Sequence, residues 1–80
     1  MNVDNNRGTP FDYSGSKIAV YFEVADIKGV KEIINNIDFI DEIEYLKYGF
    51  EVRIAIQQIP EIIRYFTQSN IAIYAAIPTR

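Results

Sequence analysis

The sequence predicts an α+β fold, a four-stranded antiparallel sheet covered on one face by two helices, and three observations carry that reading. Phe50-Glu51-Val52-Arg53-Ile54-Ala55-Ile56 alternates apolar with polar or small residues without a break, the period of a half-buried strand. Residues 17–25 alternate in the same way. Between and after these strands, the stripes Val30/Ile33/Ile34/Ile37 and Ile59/Ile62/Ile63/Phe66 repeat one helical spacing, so the chain reads as two βαβ halves.

In the first strand, Ile18, Val20, Phe22 and Val24 point to the core, and Ala19, Tyr21 and Glu23 point away. Asp26 stands where a helix N-cap belongs. Gly29 weakens the first turn by about 1 kcal/mol relative to Ala, and Asn35-Asn36 marks the helix end. Asp41-Glu42-Ile43-Glu44-Tyr45-Leu46-Lys47 is a third, more charged alternation that suits an edge strand. Tyr48-Gly49 supplies the hairpin turn into the next strand, whose core side carries Phe50, Val52, Ile54 and Ile56. The second helix tolerates Pro60 in its first turn and stops at Ser69-Asn70. Residues 71–77 form the last strand, with Ile71, Ile73 and Ile77 expected inward, and Pro78 closes it.

The order βαββαβ with right-handed crossovers gives a ferredoxin-like sandwich of strand order 4-1-3-2 with both helices on one face. Two swapped chains sharing a larger sheet satisfy the same pattern. Residues 1–16, rich in Asn, Gly, Ser and Pro, read as a flexible leader or linker in which Phe11 and Tyr13 are the large apolar groups available to dock on the domain of residues 17–80.

Eighty residues hold one domain, and roughly 60–65% of the unfolded surface of such a chain can be buried. The sequence has no Cys, His or Trp. Imidazole and thiolate zinc sites, the Ser-His-Asp triad and the Cys-His pair are therefore excluded for this chain acting alone. A net charge of -3 and a pI near 4.7 speak against binding a phosphate backbone. No apolar run approaches the ~20 residues that span a bilayer, and Met1-Asn2-Val3-Asp4-Asn5-Asn6 is no signal sequence. No nucleic acid, membrane insertion, metal, cofactor or catalytic residue is expected.

Two constellations invite chemistry. Asp38, Asp41, Glu42 and Glu44 form the densest acidic group, but their spacing fits no calcium loop and matches a solvated edge strand. Tyr21 and Tyr74 stand as open-face aromatics on adjacent strands. The motifs of RNA-recognition sheets stack bases on outward aromatics, whereas Phe50 and Val52 face the helices here. The last strand carries no charge from Ile71 to Ile77 although the topology leaves it at an edge. A cover for it is expected, from a second copy, the leader or another piece of protein, with Ile71, Ile73, Tyr74 and Tyr21 as the interface residues.

Several segments carry a resemblance: Gly8-Thr9-Pro10, Ile33-Ile34-Asn35-Asn36-Ile37 followed by Asp41-Glu42-Ile43, and Phe66-Thr67-Gln68-Ser69-Asn70-Ile71-Ala72-Ile73-Tyr74 followed by Pro78-Thr79. Together they resemble the accessory domain that follows the nucleotide-binding domain in ABC-transporter ATPases of the drug- and bacteriocin-export type. The resemblance implies a non-catalytic, cytoplasmic regulatory domain that contacts the ATPase core and a neighbouring transporter subunit. It also implies that a Leu-Glu-Asp-Val-Phe segment follows Pro-Thr in the family, which the chain, ending at Arg80, does not contain; its absence would leave the last strand uncovered. Two other classes share the topology. A small-molecule sensor of the ACT kind binds amino acids between paired domains, and its glycine-rich turn has only Lys28-Gly29-Val30 to match it here. An independent scaffold that dimerises is the third.

Overall fold

In the computed structural model, which describes residues 15–79, the elements are β1 (Lys17–Val24), α1 (Ile27–Ile34), β2 (Ile43–Tyr45), β3 (Gly49–Ala55), α2 (Ile59–Gln68) and β4 (Ile73–Thr79). The expectations placed on Gly8-Thr9-Pro10, Phe11, Tyr13 and most of the leader lie outside the described residues. Every strand pairing is antiparallel and the sheet order is β2-β3-β1-β4, the ferredoxin-like order the pattern predicts. Val30 and Ile34 of α1 and Ile62 and Phe66 of α2 join one buried cluster with Ile18, Val20, Phe22, Val24, Phe50, Val52 and Ile54. Both helices thus cover the face that those strand residues line.

At the centre of that cluster Phe22 and Phe50, paired across β1 and β3, stack with ring centroids 5.2 Å apart. Phe66 of α2 meets the Phe50 ring edge-on at 5.6 Å. All three rings are fully buried, and each contributes about 1.5–3 kcal/mol by leaving water. Gly49, next to Phe50, is the condition for this approach. A Cβ there would sit 1.9 Å from the Phe22 carbonyl oxygen, so the residue serves close packing of β1 on β3. The hairpin turn itself is Lys47-Tyr48, bridged by the Leu46 amide donating to the Gly49 carbonyl at 2.8 Å.

The helix ends follow local chemistry. Asp26 caps α1, its carboxylate accepting from the Gly29 amide at 3.2 Å. Gly29 is tight as well as helical, for a Cβ would lie 2.9 Å from Asp26 Oδ2 and 3.1 Å from Ile71 Cδ1. The stretch Lys28-Gly29-Val30 is therefore helix and not the glycine-rich turn of a ligand loop. At the other end of α2, Asn70 takes φ 60°, and the amides of Asn70 and Ile71 return to the carbonyls of Thr67 and Phe66. This is the left-handed helix stop that Asn tolerates. Ile63, read as part of the apolar stripe, is 37% exposed. Ile62 and Phe66, four residues apart, take the core positions of α2, and Ile63, one residue round the helix from Ile62, lies at the margin of that stripe. β2 is shorter than its alternation suggested. Lys31 of α1 lies over the Tyr45 ring, 4.9 Å from its centroid, and helps hold it.

Replacing Gly49 by Ala is expected to cost about 1–3 kcal/mol through overpacking against backbone, lowering Tm by about 4–8 °C for each kcal/mol. Phe50→Ala is expected to cost more, about 3–5 kcal/mol. Thermal unfolding followed by circular dichroism checks both, and an unchanged Tm for Gly49→Ala would contradict the close β1–β3 approach.

Candidate functional site

The sheet face away from the helices carries one row of residues aligned across all its strands: Glu44 of β2, Glu51 of β3, Tyr21 of β1 and Ile77 of β4. The row passes from two carboxylates to an aromatic ring and then to an aliphatic side chain 54% exposed. Glu23 and Ala75 pair on one side of it, and Arg53, Ala19 and Thr79 on the other. Carboxylates outnumber the one guanidinium on this face, and β4 contributes no charge to it.

Ile77 reaches this face because β4 contains one extra residue. Val24 pairs with Ile73, yet Glu23 pairs with Ala75, which leaves Tyr74 as a bulge. Beyond a bulge the in-out alternation is reset. Ala76 and Pro78 stand opposite the buried Phe22 and Val20, and Ile77 stands opposite Tyr21. The expectation that Ile77 faces the core is thus corrected. Of the residues expected at an interface, Tyr21 lies in the open row and Tyr74 is 68% exposed at the bulge. Ile71 and Ile73 are half-buried and pack against the core cluster. Ile77 was the residue that strict alternation missed. The run Ala75-Ala76, two small residues in succession ahead of Ile77-Pro78, was the available sign of a broken alternation.

The uncharged edge of β4 is blunted by backbone chemistry. The Val24 amide donates to Tyr48, on the β3 side, and the Ala25 amide donates to Ala72, on the β4 side. Even-numbered residues of β1 therefore bond to β3 and odd-numbered ones to β4. Ala19, Tyr21 and Glu23 thus bond Thr79, Ile77 and Ala75, while Pro78, opposite Val20, turns its nitrogen outward. A residue without an N–H costs the β1–β4 ladder nothing there and offers an incoming strand no donor. With the bulge at Tyr74, it interrupts the outward row of donors and acceptors, as natural edges often do.

No protein-family model, curated protein or solved structure matches the chain.

The Tyr21 hydroxyl donates to Glu23 Oε2 at 3.3 Å. Partial desolvation first, then the charge of Glu23 and this hydrogen bond, raise the phenol above its ordinary 10.0. Two shallow depressions mark the surface: about 320 Å³ against Glu61, Arg64, Tyr65 and Gln68 of α2, and about 210 Å³ beside Glu42, Glu44, Glu51 and Arg53. Of the acidic group singled out in the sequence, Asp41 pairs with Lys17 and Glu44 belongs to the open row. Among the described residues, no three carboxylates are grouped so as to hold a metal, and no helix is long and apolar enough to cross a membrane.

Glu23→Gln is expected to bring the Tyr21 phenol back toward its ordinary value, read by ultraviolet or NMR titration of tyrosines. A raised folded-state value favours the neutral phenol, so the associated stability is present below the unfolded value and lost as pH climbs through the folded one. Pro78→Val restores an outward donor and is expected to increase self-association at high concentration, measured by sedimentation velocity. A strictly monomeric Pro78→Val variant would show that the proline does not guard the edge.

Proposed function

We propose that this chain is a non-catalytic protein-contact domain, and within that class the accessory domain of an ABC-transporter ATP-binding subunit. The observation that carries the first part is the row end where half-buried Tyr21 meets exposed Ile77, with Tyr74 exposed on β4 beside it. Apolar side chains gathered on a solvated sheet face mark a contact surface. The second part rests on the resemblance of residues 33–43 and 66–79 to the export-type accessory domain. In that setting the partners are the ATPase core and a neighbouring transporter subunit at the cytoplasmic face of the membrane. The role is to bias the ATPase cycle through contact.

The test uses the parent subunit, assayed as a whole for ATP hydrolysis with and without Ile77→Arg in this domain. The isolated chain is expected to hydrolyse no ATP. Ile77→Arg is expected to weaken association with the ATPase core by about tenfold or more, the loss of one central apolar anchor, with Tm nearly unchanged because the residue is exposed. A parent reading frame without nucleotide-binding motifs would remove the transporter assignment. Unaltered association in Ile77→Arg would remove the contact surface. A rise in Tm with one free amino acid from a panel would instead support the ACT-like sensor, and a stable homodimer the scaffold.

A further inference from the structure

The proposed contact role leaves the chemistry of the partner open, and the open row narrows it. Glu44 and Glu51 are directly opposite one another on β2 and β3, an arrangement of like charges that destabilises a sheet. Among the described residues the ion pair is Lys17 with Asp41. The nearby guanidinium of Arg53 donates instead to the Lys17 carbonyl at 3.4 Å. The two carboxylates border the depression of about 210 Å³, room for one long side chain. On the same row, Tyr21 and the 54% exposed Ile77 form an uncharged end.

Building on the contact reading, we propose that this face docks a basic amphipathic segment of a protein partner. The segment's apolar side chains lie on Tyr21 and Ile77, and its Lys or Arg side chains lie on Glu44 and Glu51. Charge complementarity selects this occupant. A second copy would bring the same carboxylates to the face, and a phosphate backbone would be repelled by them. The mode follows from β4: with Pro78 and the bulge interrupting its edge, the partner lies across the sheet and does not extend it by a strand.

The experiment titrates the ¹⁵N-labelled chain with a basic amphipathic helical peptide, Lys and Leu on opposite sides, and with an isomer carrying Glu at each Lys position. Amide shifts are expected at Tyr21, Glu44, Glu51, Ala75 and Ile77, with the acidic isomer inert. Glu51→Lys is expected to weaken binding by about tenfold while raising Tm by about 1–6 °C, because it removes the opposed charges. Loss of binding is then separable from loss of fold. Glu61→Lys, the same charge change on α2, is expected to leave binding intact. Shifts confined to the helices, equal affinity for both peptides, or equal weakening by Glu61→Lys would overturn the proposal. So would concentration-dependent shifts of the face without peptide, which would make a second copy the occupant. A parent lacking ATPase motifs would refute the transporter assignment and leave this result standing. An ATPase core that binds a face indifferent to the basic peptide would refute this inference alone.

Discussion

The contact among Phe22, Phe50 and Phe66 holds the architecture together, because it is where β1, β3 and α2 meet. Stacking of the first pair ties the two central strands at one register, and the edge-on third ring seats a helix on them. The same register decides the opposite surface. Since Phe22 and Phe50 face inward as partners, their neighbours Tyr21 and Glu51 must face outward as partners too. The core and the candidate contact face are two sides of one alignment, and Gly49 makes it possible by letting the backbones approach.

Much of this was legible in the sequence. The period-2 runs of β1 and β3 and the matched stripes of the helices placed nearly all of the core, from Ile18 to Phe66. Such patterns are readable because burial acts on every second strand residue and every third or fourth helical one. Asp26 and Asn70 marked helix ends for equally local reasons. What escaped was set at a distance. Ile63 lies at the margin of the stripe centred on Ile62 and Phe66, and how far the core reaches round α2 is decided by what the sheet presents to it. Ile77 turns outward because β1 and β4 slip by one residue at Glu23 and Val24. The second depends on how β4 pairs with β1, which the run Ala75-Ala76 signals only weakly. Of the candidate face, alternation made Ala19, Tyr21, Glu23, Glu51 and Arg53 legible, but it missed Ile77, and two of the expected interface positions, Ile71 and Ile73, serve the core instead.

The sheet has one charged edge strand and one uncharged one, and it manages them differently. β2 is short, with Glu44 exposed on it. β4 has no charge but carries a proline whose nitrogen faces away from the ladder. An edge interrupted at two points shifts attention to the open face, where opposed carboxylates, half-buried Tyr21 and exposed Ile77 lie in one row. Local arrangements that weaken the free fold are common where a partner later relieves them.

The bulge at Tyr74 makes the last strand behave as a sentence whose meaning depends on one inserted letter. Read straight through with no letter set aside, the downstream half would exchange sides together: Ile77 would stand opposite Val20, where Pro78 now lies, and Pro78 would move to a ladder position opposite Ala19 that its nitrogen cannot serve. A slip of pairing by one residue would therefore rewrite surface and interior at a stroke, whereas removal of Tyr74 itself would straighten the strand and leave each later side chain on its present side.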